Sequence, residues 1–547
     1  MKLKALTVAI ASSVLATQAM AITFAEQATP DYSLGFSGAT AVDKQFANYI
    51  NQICVPGTED VFTNAADSAS AFYCTVKAAD AGTVSDVNVL FRKNSGGSSQ
   101  GVVPVSHGLD GQGSVVALDL NTCSQTAART ATTPGQWTCS DTTTTVQSEV
   151  GISDVEPAMF NLNVNQTPVV QTDGSGNPIL DAAGNATVTG TKGGPVAASM
   201  SVFPANVNTF GIIVSPALRD ALQAAQNLTV GSDEVADMPS MSSQFVANVL
   251  AGKVANWNVL KKANGAPIVA DEPVNICLRT PGSGTQAQAN AFYLGQGCAY
   301  RGGLNLSFAG LSPSIDPDGL ENNGFEIQQT PGFFGNQDVP APYTYWNEGS
   351  SDMGKCVSEL SRAEHWTLNA GGDKTNPADY TKTQIRGGNT AWAIGIQSTE
   401  KVKETKVDRN YFKYVAIDGV TPTLQNVAAG LYRNVASASI QWNDAVVNSA
   451  TPVKLKLAQA FVAKAQGADT IASSNASLKA ATATPQFYIG GVGADSGNLA
   501  FANSTNTAEV PFNPNNPVMP FNKGLIGPST CAVSNMEGSV LDASQQN

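Results

Sequence analysis

The alternation of apolar and polar positions divides this chain into strand–turn–helix units. The sharpest is Ile276 to Phe292, ICLRTPGSGTQAQANAF. Ile276-Cys277-Leu278 reads as a buried strand ending at Arg279, Pro281 and Gly282 break it, and Ala287, Ala291 and Leu294 fall at helical spacing. A second unit opens with Tyr32-Ser33-Leu34-Gly35-Phe36-Ser37-Gly38 and continues into a helix whose apolar face is Val42, Phe46, Tyr49 and Ile50. A third turn, Arg92 to Val102, follows the strand Val87 to Phe91. Val207–Ser215 and Gly388–Ser398 are apolar enough for buried strands and are expected to cross between two lobes and back. Met241–Asn258 predicts a helix that stops at Gly252, with Phe245, Val249 and Leu250 inward. Tyr411–Ile417 predicts a strand and Val453–Ala465 an amphipathic helix. Residues 300–375 show little periodicity apart from a helix at Cys356–Ala363. The pattern as a whole predicts an α/β fold.

Three of these turns share one chemistry. Each ends a strand in Ser, Gly or Thr at a helix start, where unpaired N–H groups and the positive end of the helix dipole face outward. Gly284 lets the backbone come close, Ser283 and Thr285 add hydroxyls, and Arg279 can aim a planar guanidinium at the same place. The alternative at Ser283 is an ordinary N-cap beside a surface arginine. Asp154, at the tip of the short strand-like run Glu149–Pro157, is on its own as readily a turn-forming residue.

Composition narrows the setting. Lys2 and Lys4, an apolar run from Ala5 to Leu15, and small residues at Ala19 and Ala21 fit a cleaved secretory signal over 1–21. With no cysteine before Cys54, no lipid anchor is expected, and no stretch has the 18 apolar residues of a membrane span. A periplasmic or secreted protein follows. Its eight cysteines, without a C-x-x-C pair, read as disulfides. Spacing does not fix their connectivity; joining sequence neighbours gives Cys54–Cys74, Cys123–Cys139 and Cys277–Cys298, leaving Cys356 for Cys531. Two histidines argue against a His-rich metal centre, and no cofactor is expected. A formal charge of −13 speaks against nucleic acid or an anionic membrane as partner. A small anion is still admissible, because buried dipoles and one arginine can hold it.

Read together, GFSGAT (Gly35–Thr40), NSGGSS (Asn94–Ser99), VGISDVEP (Val150–Pro157), LAGKVANWN (Leu250–Asn258), RTPGSGT (Arg279–Thr285), TAWAIGI (Thr390–Ile396) and VTPTLQNVAAGLY (Val420–Tyr432) resemble the type 2 periplasmic binding proteins. Within them the resemblance is to the phosphate-binding receptors of phosphate ABC transporters, over some 250 residues between insertions. It implies a two-lobed type 2 periplasmic-binding-protein fold with mixed sheets flanked by helices, plus β-rich insertions. Lobe I would cover 22–208 with insertions at about 106–148 and 160–200, lobe II 209–390, and 391–547 would return to lobe I and add a C-terminal extension. The ligand would be inorganic phosphate, held by Thr40, the Ala41 N–H, Ser95 and Asp154 from one lobe and by Arg279, Ser283, Gly284 and Thr285 from the other. Ala41 stands where the family usually has an aromatic, and Ser98 rivals Ser95. An ABC permease would be the partner. No nucleophile motif accompanies either histidine or Ser37 and Ser283, so an enzyme is not expected. The competing expectation is a secreted or surface structural protein that keeps the fold with a vestigial or sensory anion site.

Overall fold

The structure is a computed structural model. It describes residues 30–480 apart from 41–42, 65–68, 108–113, most of 163–199, 296–341, 370–375, 402–410 and a few further positions, together with 521–522 and 535–536. The signal segment, Ala41, Cys298, Cys531 and nearly all of the C-terminal extension lie outside the described residues.

Fourteen strands form one mixed hydrogen-bonded sheet. The first half is built by β1 (Tyr32–Gly38), β2 (Asp60–Asn64), β3 (Ala69–Val76), β4 (Val87–Ser95), β5 (Cys123–Ala127), β6 (Gly135–Cys139) and β7 (Val150–Ser153). Then comes β8 (Met200–Val214), and the second half adds β9 (Ser240–Met241), β10 (Asn275–Arg279), β11 (Tyr343–Asn347), β12 (Ala393–Ser398) and β13 (Lys413–Ile417). The chain returns in β14 (Val435–Asn443). Along the sheet the order is β11-β10-β12-β8-β14-β7-β1-β4-β3-β2-β6-β5, with β13 joined to β8 and β9.

A single sheet results because β8 serves both halves. Its residues from Met200 to Thr209 pair with β14, and Phe210 to Val214 pair with β12, the last three of them, Ile212 to Val214, also with β13. The outward crossing expected at Val207–Ser215 is therefore the far part of β8. Gly388–Ser398 does not make the return. Ala393–Ser398 is buried at every position and hydrogen-bonds to β10 and β8 inside the second half, so the chain comes back only at β14.

Helices cover both faces. α1 (Asp43–Ile53) and α6 (Pro452–Gln466) pack on the first half, where the rings of Phe36, Phe46 and Phe461 lie 4.8–5.1 Å apart. The amphipathic reading of Val453–Ala465 matches α6, which buries Val453, Leu457, Phe461 and Ala465. On the second half, α2 (Pro216–Ala225), α3 (Ser243–Leu250) and α4 (Gly284–Leu294) cover one face, burying Leu218, Val249 and Ala287 against Ile276 and Leu278 of β10. The other face carries α5 (Ser350–Arg362), with Met353, Val357 and Leu360 against Tyr345. α5 begins six residues before the helix expected at Cys356 because the Gly349 N–H donates to Asp352 Oδ2 at 2.7 Å and starts it early.

Two disulfides join sequence neighbours, Cys54–Cys74 and Cys123–Cys139. The third corrects the expected set: Cys277 pairs with Cys356, not Cys298, across a sequence separation of 79. Packing of α5 on β10 brings the two Cα atoms to 6.2 Å, within bridging range, which proximity in sequence does not foretell. The insertion after Ser106 extends the sheet: β6 runs parallel to β2, and the antiparallel pair of Ser114–Leu118 with Thr142–Gln147 is tied to β4 by Asn94 Nδ2 donating to the Val116 carbonyl at 3.2 Å.

Candidate functional site

The turn after β10 is built as its sequence dictates. Gly282 adopts φ 99°, a conformation other residues resist, and reverses the chain after Pro281. Ser283 then caps α4, its hydroxyl accepting from the Gln286 N–H, and Gly284 and Thr285 form the first turn. Arg279 closes β10 and is 2 % exposed. Its N–H donates to Gln286 Oε1 at 3.0 Å, Nε to the Asn347 carbonyl at 3.2 Å, and Nη1 to Ser350 Oγ at 2.9 Å. Those bonds fix the guanidinium plane at the head of α4 and α5.

The first half reaches the same place from three turns. β1 ends at Gly38, whose φ of 116° and closeness to the Ile152 carbonyl admit no side chain. Thr40 follows, and its hydroxyl lies 3.2 Å from Ser350 Oγ. Ser350 thus touches Thr40 of one half and Arg279 of the other. β7 ends in Ser153, and the next N–H, that of Asp154, donates to Ser98 Oγ at 3.0 Å. Ser98 and Ser99 open a short 3₁₀ turn, and the Ser99 N–H donates to the Gly282 carbonyl at 2.8 Å across the junction. A Cβ on Gly284 would stand 2.2 Å from Ser98 Oγ.

Charge at this junction is concentrated and desolvated. Burial pushes the Asp154 carboxyl up to about 6, against the pull of Arg279, the Ser98 hydrogen bond and the smaller pull of Lys93. Lys93 is itself buried, with Nζ 2.5 Å from Asp43 Oδ1 and donating to the Ala39 carbonyl at 3.2 Å. Two buried oxygens, Asp154 Oδ1 and Thr285 Oγ1, have no hydrogen-bond partner among the described residues. Buried polar atoms are ordinarily paired, so these two call for an explanation.

Of the residues expected at the site, the fold brings together Thr40, Asp154, Arg279, Ser283, Gly284 and Thr285. Ala41 lies outside the described residues. Ser95 closes β4 opposite Gly38, and its side chain is likewise outside the description; Ser98 supplies the hydroxyl next to Asp154. Sequence reasoning missed Ser350, Lys93 and Asp43. Ser350 had a faint signal in its Gly-Ser-Ser-Asp start, which is a helix-opening pattern. Lys93 had none, because a lysine before a Gly/Ser turn reads as a solvated residue.

No family model and no curated protein matches the sequence. Among solved structures, it is similar to a putative phosphate ABC transporter substrate-binding protein with bound phosphate from Clostridium perfringens: 12% identity, TM-score 0.35, covering 81% of this chain and 97% of that one. An ABC-type phosphate transport receptor from Vibrio cholerae matches at 11% identity and TM-score 0.31, over 78% of this chain and 93% of the other. PstS from Borrelia burgdorferi matches at 10% and 0.29, over 81% and 97%. Likeness at this level says nothing of what the present chain binds.

Proposed function

We propose that this protein is an extracytoplasmic binding protein that holds a tetrahedral oxyanion, inorganic phosphate first, between its two halves and passes it to an ABC permease. The observation that carries the reading is the position of Ser350, hydrogen-bonded to Arg279 and within reach of Thr40, so that groups far apart in sequence share one junction. Around it stand Thr285 and Asp154 with their unpartnered oxygens, and the amino ends of α1, α4 and α5. Arg279 supplies a charged fork, Thr40, Ser98, Thr285 and Ser350 supply hydroxyls, and exclusion of water strengthens each bond. The three described disulfides suit an oxidising compartment, and no helix among the described residues is long and apolar enough to cross a membrane.

Asp154 gives the site its choice of anion. Phosphate retains a proton near neutral pH and can donate it to the carboxylate, whereas sulfate would face it with none. Such a desolvated like-charge contact costs several kcal/mol, on the order of a thousandfold in affinity. Isothermal titration tests the reading: phosphate binds one to one and sulfate binds far more weakly. Absence of phosphate binding, or equal affinity for both anions, overturns it.

A further inference from the structure

β4 carries a second arginine beside Lys93, on the opposite face. Lys93 points into the core of the first half, near the Phe46 ring, whereas Arg92 lies on the face that the paired strands Ser114–Leu118 and Thr142–Gln147 cover. There a cavity of about 310 Å³ opens between strand and insertion. Leu90, Leu118 and Leu120 form its apolar wall, and Arg92, Asp119 and Asn121 its polar one.

The two charged groups keep hydrogen-bonding capacity that the described residues do not use. The Arg92 guanidinium is half-buried and makes no hydrogen bond or ion pair among the described residues, although burial disfavours its charged form and pushes its pKa down. Asp119 is near enough to work against that shift without pairing. Oδ1 of Asp119 accepts from the Asn121 N–H and Nδ2, each at 3.0 Å, and its other oxygen accepts nothing among the described residues. A half-buried arginine whose nearest counter-charge stays beyond pairing distance is costly to the fold, and a ligand that hydrogen-bonds to it reduces the cost.

The geometry points to a second ligand site here, separate from the anion junction, that takes a free α-amino acid with an aliphatic side chain. The carboxylate meets the Arg92 fork, the ammonium meets Asp119, and the side chain lies along Leu90, Leu118 and Leu120. The cavity is at the small end of the roughly 300–1,000 Å³ range of ligand pockets, as a ligand of this size requires. A carboxylate alone would leave Asp119 facing a second negative group, and an amine alone would leave Arg92 unpaired.

Titration of the full chain with L-leucine, isovalerate and isoamylamine tests this. L-Leucine binds one to one, and the other two, each carrying one of its charges, bind at least about tenfold more weakly. Arg92→Gln and Asp119→Asn each weaken L-leucine by about tenfold or more and leave phosphate binding within about twofold; the asparagine keeps the acceptor that Asn121 needs. No L-leucine binding up to about 10 mM, binding unchanged in Arg92→Gln, or isovalerate as tight as leucine overturns the assignment.

Discussion

Gly284 and Asp154 meet at backbone distance across the junction: a Cβ on the glycine would lie 2.7 Å from the Cβ of the aspartate. Real side chains do not approach so closely, and both atoms belong to rigid turn positions. Gly284→Ala therefore holds the two halves apart at the point where the groups proposed to bind the anion converge. Affinity for phosphate falls by about tenfold or more, measured by isothermal titration, while the far-UV spectrum stays that of the parent. Unchanged affinity would mean that the anion is held elsewhere.

Arg279→Ala removes the one guanidinium that the described residues bring to the site and takes its Nη1 donor from Ser350 Oγ. Phosphate binding weakens by roughly 2–5 kcal/mol. Arg279→Lys recovers little, because a compact ammonium cannot donate to the Asn347 carbonyl and Ser350 together as Nε and Nη1 do. Full affinity in the lysine variant would reduce the arginine to a point charge.

The buried carboxyl makes stability depend on pH. Its pKa of about 6, against 3.8 for an ordinary aspartate, means that the native state holds this proton more tightly than the unfolded chain does. Its contribution to stability is complete below about pH 4 and is lost as pH rises to about 6, roughly 3 kcal/mol in all at ~1.4 kcal/mol per unit. Asp154→Asn abolishes that slope and is the more stable protein above pH 6 when phosphate is absent. Urea unfolding of both proteins at about pH 4 and pH 7.5 measures the difference; parallel profiles would contradict it. The same substitution narrows the preference for phosphate over sulfate.

Cys277 lies on the strand that ends in Arg279, and Cys356 lies two turns into the helix that Ser350 opens. Replacing both by serine removes a bridge over a separation of 79, worth about 4–5 kcal/mol if the loss acts through the unfolded chain. Phosphate affinity falls as well, since the bridge sets α5 against β10. Peptide mapping under non-reducing conditions should recover Cys277 joined to Cys356.

Much of this was legible where local pattern and tertiary role coincide. The β10–turn–α4 unit declares itself, because strand, breaker, cap and helix follow one another within seventeen residues and the candidate site residues sit on the turn. Gly38 and Gly284 were legible for the same reason, whereas Asp154 was singled out through the family resemblance alone, its own stretch reading as readily as a turn. Ser350 was obscure because the stretch before it carries no apolar period from which its helix could be dated. The disulfide partner of Cys277 depends on how a helix packs on a strand, information that spacing does not hold. Likewise β12 reads as a crossing strand in isolation; only its neighbours on both sides make it central to the second half.

Fifteen consecutive residues of β8 belong to the ladders of both halves, with one irregularity, between Pro204 and Val207, where Asn206 is gripped by Tyr49 and Gln45 of α1. Relative motion of the halves must therefore be absorbed as torsion in a paired strand instead of swinging on a slack connection. Such a joint resists and recoils, so any displacement of one half against the other is confined to a modest twist whose stiffness is set at that bulge.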